Sequence, residues 1–358
     1  MLVLVIVIMF VIVIAIVNET MFSTLGGTIM NRTLCGLIVL AIATGCGGQA
    51  SSPPAQQPAA TTSAKKERLE IGVVPKGISH QFWLTVKAGA DTAGAEFNAN
   101  IRWQGPDKET EIDKQVNILE DMISRRVDAI VMAACDENGL TNVIKKAVEA
   151  KIPVITIDSG VKSDLPVTLV ATDNVAGAKA AAHELARLIG NEGEVGLMPF
   201  IPGAATSELR EQGFKEALKE LPGLKLVATL YCQSDVAKGM NVTQDMMTAN
   251  PNLKGIFAAN EPGAIGAAQA IKAAGKAGQI KLIAFDASDE EIQMLKDGTL
   301  QALVVQNPFQ MGYQGVKAAI DAIQGRPVEK RIDTGVTVVT MENFHQPDIQ
   351  KLLYPLGK

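Results

Sequence analysis

The sequence predicts an α/β protein with two doubly wound parallel-sheet lobes joined by a hinge. Short apolar, β-branched runs alternate with stretches of helical period over most of residues 69–358. Runs such as Ile155–Ile157 and Leu282–Phe285 are almost entirely apolar, as expected of parallel strands buried on both faces. The strand–helix units fall into two sets on either side of residues 171–174, and each set has the size of one doubly wound domain.

The elements follow from these runs and from their capping residues. Strands are predicted at Leu69–Val74, Asn100–Trp103, Ala129–Met132, Val154–Ile157, Thr168–Val170, Glu194–Met198, Lys225–Tyr231, Gly255–Ala258, Lys281–Phe285 and Ala302–Val305. Helices are predicted between them, among them Gln81–Phe97, Glu111–Ser124, Leu140–Ala150, Ala176–Ile189 and Ala264–Ala274. Asp173 or Asn174 is expected to cap the helix that enters the second set.

The N-terminal region predicts export. Residues 30–46 hold one basic residue, a short apolar core and small residues before Cys46, the pattern of a secretory signal. Ala43–Cys46 resembles the bacterial lipobox, whose cysteine receives a lipid, so we expect Cys46 to anchor the protein to a membrane. Residues 1–29, which begin with an uncharged apolar run, are either a short membrane segment or an extension upstream of the true start at Met30. We favour the second interpretation.

Composition limits the remaining possibilities. Residues 47–68 lack a hydrophobic pattern and are rich in Pro, Ser, Gln and Ala, which predicts a disordered linker. The chain has 33 basic and 38 acidic residues, so it has no basic surplus and no nucleic-acid partner is expected. Cys135 and Cys232 each adjoin a strand-like run, and we interpret both as buried free thiols.

The loop after the first strand is the most informative part of the chain. It breaks the apolar run at Pro75 and Gly77, then places Lys76, His80, Phe82 and Trp83 at the start of a helix. Ligands of open α/β sheets bind at the carboxyl ends of the strands. The loop is therefore predicted to hold a small polar molecule that has a flat apolar face.

Polar residues recur at the carboxyl ends of the later strands. They are Asp158 and Ser159, Asn260 and Glu261, Asp286, and Gln306 and Asn307. Each of them alone could cap a helix or form an Asx turn. Together they place carboxylates and amides from both lobes around one crevice, where such groups can pair with vicinal hydroxyls while aromatic faces pack on the C–H side of a sugar ring.

Catalytic interpretations have little support. The histidines His80, His183 and His345 are scattered, and the sequence has no HExxH, paired CxxC, GxSxG or Walker-type GKS or GKT motif. We expect no enzyme activity, no catalytic residue, no metal site and no cofactor.

Several motifs together resemble the sugar-type solute-binding proteins of bacterial ABC importers, over residues 70–339. The motifs are IGVVPKGISHQFW, WQGP, IPVITIDS, ATDNVAG, LREQGF, FAANEPGAIGA, IAFDAS and VVQNPFQMGYQGVKA. The resemblance implies the type I periplasmic binding protein fold, which transcriptional repressor cores share. It implies lobes of residues 69–172 with 307–332 and of residues 173–306 with 333–358, joined by a three-strand hinge.

The resemblance also implies roles for individual residues. Phe82 and Trp83 match the family's stacking aromatics, and the ligands of ring hydroxyls match Asp158, Asn260, Asp286 and Gln306. The chain departs from the ribose binders by placing Lys76 and His80 in the first loop. Ser159 replaces an arginine, Glu208 aligns with a second arginine while Arg210 is kept, and Ser234 aligns with an aromatic residue. The redistributed charge argues against ribose itself. The lysine in the first loop resembles that of binders of allose, rhamnose or autoinducer-2.

The family's mechanism is capture without chemistry. A monosaccharide or sugar-like ligand bridges the two lobes and stabilises their closed form, which an ABC permease complex in the membrane recognises. We therefore expect a monomeric lipoprotein of the periplasm or cell envelope. Two alternatives stay open: a sensor that feeds a histidine kinase or chemoreceptor, and a repressor core, which would need a DNA-binding headpiece where this chain has a signal and a linker.

Overall fold

The structure is a computed structural model that describes residues 68–357, so Cys46, the signal and nearly all of the linker lie outside the described residues. Its strands are β1 (Leu69–Val74), β2 (Ala99–Trp103), β3 (Ala129–Met132), β4 (Val154–Ile157), β5 (Leu169–Ala171), β6 (Gly193–Met198), β7 (Leu224–Thr229), β8 (Leu253–Ala258), β9 (Lys281–Phe285), β10 (Ala302–Val305), β11 (Arg331–Asp333) and β12 (Thr337–Val339). Its helices are α1 (Gln81–Glu96), α2 (Ile112–Ser124), α3 (Thr141–Glu149), α4 (Asn174–Ile189), α5 (Ala205–Leu218), α6 (Val236–Ala249), α7 (Glu261–Ala273), α8 (Asp289–Lys296), α9 (Pro308–Ile323) and α10 (Pro347–Leu353).

The strands form two six-stranded sheets, one for each lobe. The first has the order β11-β5-β4-β3-β1-β2 and is parallel throughout. The second has the order β12-β10-β9-β8-β6-β7, and only its edge strand β12 is antiparallel to its neighbour. The strand order reverses between β1 and β3 in the first sheet and between β6 and β8 in the second. These reversals are the switch points beside which open α/β sheets bind ligands. The predicted fold class is confirmed.

The chain passes between the two lobes three times. It crosses between β5 and α4, between β10 and α9, and between β11 and β12. Asp173 caps α4 after the first crossing, because its Oδ1 accepts a hydrogen bond of 2.9 Å from the amide of Ala176. This confirms one of the two capping residues that the sequence left open. Asp333, which we expected in the second lobe, instead pairs with Ala171 in the first sheet.

Helix α9 returns to the first lobe and packs directly on α1. Glycines make this close approach possible: a Cβ on Gly312 would lie 2.0 Å from the carbonyl oxygen of Val86, and one on Gly89 would lie 2.0 Å from that of Phe309. The middle of α1 is therefore held by a helix that begins immediately after a crossing.

Each sheet is buried between its helices. In the second lobe, Phe214 stacks on Phe257 with ring centres 5.1 Å apart, and Phe257 meets Phe285 at a tilt of 51° with ring centres 6.3 Å apart. Within residues 68–357, Cys135 and Cys232 are buried free thiols, as predicted. Burial raises the pKa of the Cys232 thiol to about 12, so it stays protonated near neutral pH. No helix in the described part of the chain has the length and apolar character needed to cross a membrane.

Candidate ligand-binding cleft

A cleft lies between the lobes, where the carboxyl ends of both sheets face each other. Its cavity volume is about 20 Å³, room for little more than a water molecule in this conformation. The residues that line it are Lys76, His80, Phe82, Trp83, Glu109, Asp158, Phe200, Arg210, Asn260, Glu261, Pro262, Asp286 and Gln306. Among residues 68–357, no group of three His, Cys, Asp or Glu side chains is placed to hold a metal ion.

Lys76 lies at the centre of the cleft and is fully enclosed. Its Nζ is 2.9 Å from Asp158 Oδ2 and donates a hydrogen bond of 3.1 Å to Thr206 Oγ1 of the second lobe. The same ammonium lies 5.3 Å from the ring centre of Phe200. Burial disfavours the charged form, but Asp158 and Glu109 outweigh it and raise the pKa of Lys76. The cleft therefore contains a lysine that is charged and already paired.

The two strand-end aspartates share an unusual backbone conformation. Asp158 follows β4 with φ 54°, and Asp286 follows β9 with φ 89°. Positive φ is uncommon for residues other than glycine, although aspartate adopts it more readily than most. Strained backbone of this kind collects at functional sites, where the surrounding structure holds it in place. Each lobe thus turns one aspartate side chain into the cleft by the same means.

Phe82 and Trp83 meet edge to face, with ring centres 4.9 Å apart and planes at 88°. Trp83 is only 1 % exposed and packs into the core of the first lobe. Its Nε1 donates a hydrogen bond of 2.8 Å to Glu109 Oε1. Because the rings are perpendicular, a flat ligand can stack on only one of them and meets the edge of the other.

Glu109 is a cleft residue that the sequence did not single out. Besides the bond from Trp83, its carboxylate accepts a hydrogen bond of 2.8 Å from Ser234 Oγ of the second lobe. Burial opposes the charged form, yet the charges of Lys76 and His80 and the hydrogen bonds hold the pKa of Glu109 well below its usual range. Glu109 lies among four charged residues in positions 107–111, so the sequence pattern does not show which of them is buried.

The polar residues of the second lobe are joined in pairs by side-chain hydrogen bonds. Asn260 caps α7 by accepting a hydrogen bond of 3.1 Å from the amide of Gly263, and its Nδ2 donates one of 2.7 Å to Ser234 Oγ. Asp286 Oδ1 accepts a hydrogen bond of 2.6 Å from Gln306 Nε2. Gln306 Oε1 is buried and has no hydrogen-bond partner among the described residues. Burial raises the pKa of Asp286, partly offset by the charge of Arg210.

Arg210 is buried at the back of the cleft. Its Nε donates a hydrogen bond of 2.8 Å to Asn174 Oδ1, and its Nη1 donates one of 2.7 Å to the carbonyl of Ala259. The guanidinium carbon lies 3.7 Å from the ring centre of Phe285. Burial lowers the pKa of Arg210, and three carboxylates around the cleft oppose that change.

Two predicted site residues are not brought to the cleft. Ser159 is fully buried behind Asp158, with its Oγ 3.4 Å from Thr206 Oγ1. Glu208 is exposed on α5 and accepts a hydrogen bond of 3.0 Å from the amide of Gly203. Successive residues of an α-helix are about 100° apart, so Glu208 and Arg210 lie on nearly opposite faces. Thr206, four residues before Arg210, shares the inner face and was missed.

His80 is expected to make the stability of the protein depend on pH. Its Nδ1 is 3.7 Å from Glu109 Oε1, and although burial disfavours the charged imidazolium, Glu109 outweighs it and raises the pKa of His80 above its ordinary 6.5. A raised folded-state pKa stabilises the fold below the unfolded pKa, and the contribution is lost as the pH rises through the folded value.

The comparison of His80→Gln with the parent protein tests this dependence. We expect the variant to lose about 1 kcal/mol of unfolding free energy near pH 5.5, where Glu109 is still ionised, and almost none near pH 9. Urea unfolding over this range measures the difference. His183→Gln, an exposed change on α4, is the control. A difference that stays constant or grows with pH would contradict the pairing with Glu109.

Comparison with known proteins gives consistent matches. Residues 71–327 match the family described as "Periplasmic binding protein domain". The chain is 31 % identical to the D-ribose/D-allose-binding protein of Pseudomonas aeruginosa, over 76 % of this chain and 89 % of that protein. A ribose import binding protein of Bacillus subtilis is 28 % identical over 82 % of this chain and 94 % of its own length.

Solved structures agree with these sequence matches. An ABC transporter solute-binding protein from Agrobacterium vitis with bound D-fucose is 42 % identical, with a TM-score of 0.78, covering 80 % of this chain and all of that one. A carbohydrate transporter solute-binding protein from Agrobacterium radiobacter in complex with D-arabinose is 34 % identical, also with a TM-score of 0.78, covering 81 % of this chain and all of that one. These relatives are sugar-binding transport proteins rather than enzymes, in line with the expected capture without chemistry.

Proposed function

Because the chain belongs to the periplasmic binding protein family, we propose that it captures one uncharged monosaccharide between its lobes and delivers it to an ABC permease. The observation that carries this proposal is the convergence of strand-end carboxylates and amides from both lobes on one small cleft. The lipid on Cys46 would hold the protein at the membrane, in the periplasm or cell envelope, as a monomer.

The charges of the cleft favour a neutral ligand. Lys76 is paired with Asp158, and Arg210 already donates to Asn174 and to a backbone carbonyl. His80 lies beside Glu109. An anionic sugar would have to compete with these internal partners and would meet four carboxylates, so its binding would be costly. Hydroxyl groups, by contrast, can both donate to carboxylates and accept from amides.

The proposed contacts follow from the groups that have unused hydrogen-bonding capacity. Gln306 Oε1, buried and without a partner, accepts a ring hydroxyl. Asp158 and Asp286 accept further hydroxyls on their remaining lone pairs, and Asn260 lies beside them at the end of β8. Phe82 supplies the stacking face, and Trp83 presents its edge. Lys76 adds a charged donor from the first lobe.

The relatives suggest which sugars to try first. D-Fucose and D-arabinose are bound by the two structures described above, and both are monosaccharides. A thermal-shift screen over pentoses, hexoses, 6-deoxyhexoses and polyols identifies the ligand, because a sugar at 100 times its Kd adds about 2.7 kcal/mol to the unfolding free energy. A panel in which no sugar raises the melting temperature would overturn the proposal.

Asp286→Ala, measured with the sugar that the screen identifies, tests the proposed binding site. Loss of a hydrogen bond to a charged group is worth about 1.5–3 kcal/mol, so we expect calorimetry to show affinity weaker by about 10- to 150-fold. Glu290→Ala, an exposed carboxylate on α8, is the control and should bind normally. Unchanged affinity in Asp286→Ala would remove Asp286 from the site.

A further inference from the structure

The N-terminus of α1 lacks a cap from its own lobe. The first amides of an α-helix have no partner within the helix and need another acceptor. His80 occupies the capping position of α1 without making a side-chain capping bond, and the first turn contains no acidic residue. The amides of Gln81 and Phe82 therefore depend on a group from elsewhere.

That group comes from the opposite lobe. Glu261, the first residue of α7, is buried, and its Oε1 accepts a hydrogen bond of 3.2 Å from the amide of Gln81. Its Oε2 accepts one of 3.1 Å from the amide of Phe82. A carboxylate at this position also complements the positive end of the helix dipole. One side chain of the second lobe thus caps the helix that carries both cleft aromatics.

The reverse contact is also present. The side-chain Oε1 of Gln81 accepts a hydrogen bond of 3.0 Å from the amide of Asp289, the first residue of α8 in the second lobe. Ser288 and Glu291 form a capping box on α8, in which Ser288 serves the amide of Glu291 and Glu291 serves the amide of Ser288. The capping box provides no acceptor for the amide of Asp289, and the side chain of Gln81 accepts its hydrogen bond instead. Each lobe caps a helix of the other.

We propose that Gln81 and Glu261 form a reciprocal capping latch that stabilises the closed form and so strengthens sugar binding. The latch rests on the proposed function, since it acts on the closure that captures the ligand. When the lobes separate, the amides of Gln81, Phe82 and Asp289 lose their protein acceptors together. The closed form is therefore favoured by bonds that do not involve the sugar, and the observed affinity includes this contribution.

The positions of Gln81 and Glu261 allow their effects on sugar binding to be distinguished. Glu261 also lines the sugar cleft, so its replacement can affect the ligand directly. Gln81 does not line that cleft. It faces a neighbouring cavity of about 190 Å³ bordered by α1, the start of α8 and the C-terminal residues 352–357. This cavity adjoins the cleft and shares Phe82, Glu261, Asp286 and Gln306 with it. Because Gln81 does not itself line the cleft, we expect a change at Gln81 that weakens sugar binding to act through closure, which makes it a positioning residue.

Hydrogen exchange measured by mass spectrometry tests the latch, with and without D-fucose. We expect Gln81→Ala to increase exchange at residues 287–291, in the opposite lobe. Glu261→Gln is expected to increase exchange at residues 80–84, again across the cleft. Glu290→Gln, an exposed change of the same kind on α8, should do neither. Exchange that changes only within the variant's own lobe, or not at all, would overturn the proposal.

Affinity gives the second measurement. Helix-capping interactions correspond to about 3- to 30-fold in an equilibrium constant, so calorimetry should show D-fucose binding weakened by that factor in Gln81→Ala. Unchanged affinity in Gln81→Ala would contradict the proposal that the latch strengthens sugar binding. If D-fucose and every other sugar of the screen fail to bind the parent protein, the proposed function fails. The cross-lobe exchange pattern then still decides whether the latch exists.

Discussion

Asp158→Asn is expected to lower the unfolding free energy by about 3–5 kcal/mol, because it leaves the charge of Lys76 buried without its partner. The substitution keeps the shape of the side chain, and asparagine tolerates positive φ as well as aspartate does. Its effect therefore reports the lost charge rather than backbone strain at φ 54°. Urea unfolding of the sugar-free protein measures the change.

A paired variant separates the charge from the packing. Adding Lys76→Met to Asp158→Asn removes both members of the ion pair, and we expect it to recover most of the lost stability. Glu109 stays buried beside the altered site, so recovery to within about 1–2 kcal/mol of the parent is expected rather than full recovery. A paired variant no more stable than Asp158→Asn would show that the buried charge of Lys76 is not the cause.

Gly312→Ala is expected to destabilise the protein by about 3 kcal/mol, at the upper end of usual overpacking costs. The new Cβ would lie 2.0 Å from the carbonyl oxygen of Val86, and backbone cannot move aside as a flexible side chain can. Helices α1 and α9 must therefore separate, although alanine is the better helix former. Because α1 carries Phe82, the sugar affinity should fall with the stability.

The control for Gly312→Ala is a glycine with space around it. A Cβ on Gly298 meets nothing within 4 Å, but its φ is +77°, so alanine there costs only the backbone strain of about 1–2 kcal/mol. Thermal unfolding and calorimetry with the sugar found in the screen measure both variants. Gly298→Ala should bind normally. If Gly312→Ala were as stable as Gly298→Ala, the contact between α1 and α9 would be less rigid than the structure indicates.

The sequence predicts the buried strands well because their pattern is local. The bounds of β1, β3, β4, β9 and β10 are as predicted, since each is a short and mostly apolar run. β4, β9 and β10 also end directly before a polar residue. The strands β11 and β12 were missed. Each has three residues, lies at the edge of its sheet and gains its partner from a distant part of the chain. Arg331–Asp333 contains no apolar run, and the β-branched run at Thr337–Val339 is too short to predict a strand from local pattern alone.

The cleft residues also divide into those that a local sequence pattern predicts and those that it does not. The rule that ligands meet strand ends identified Lys76, Asp158, Asn260, Asp286 and Gln306, which the structure brings to one cleft. The sequence did not predict Glu109 and Thr206, because the position of each side chain depends on the folded path of a loop or helix. The difference between Glu208 and Arg210 is a matter of helical phase, which alignment by motif does not fix. The sequence also did not predict the hydrogen bonds that join residues of the two lobes.

The position of Gln306 has a consequence for the order of events in binding. Gln306 directly follows β10, where the chain crosses between the lobes, and its bond to Asp286 joins two residues next to the second sheet. Groups near a hinge move least when domains rotate, so under the proposed function we expect this half of the cleft to keep its geometry when the lobes open. We expect an arriving sugar to meet Gln306 and Asp286 first. Closure of the first lobe over the sugar is then expected to set the residence time, which is where most differences in affinity arise.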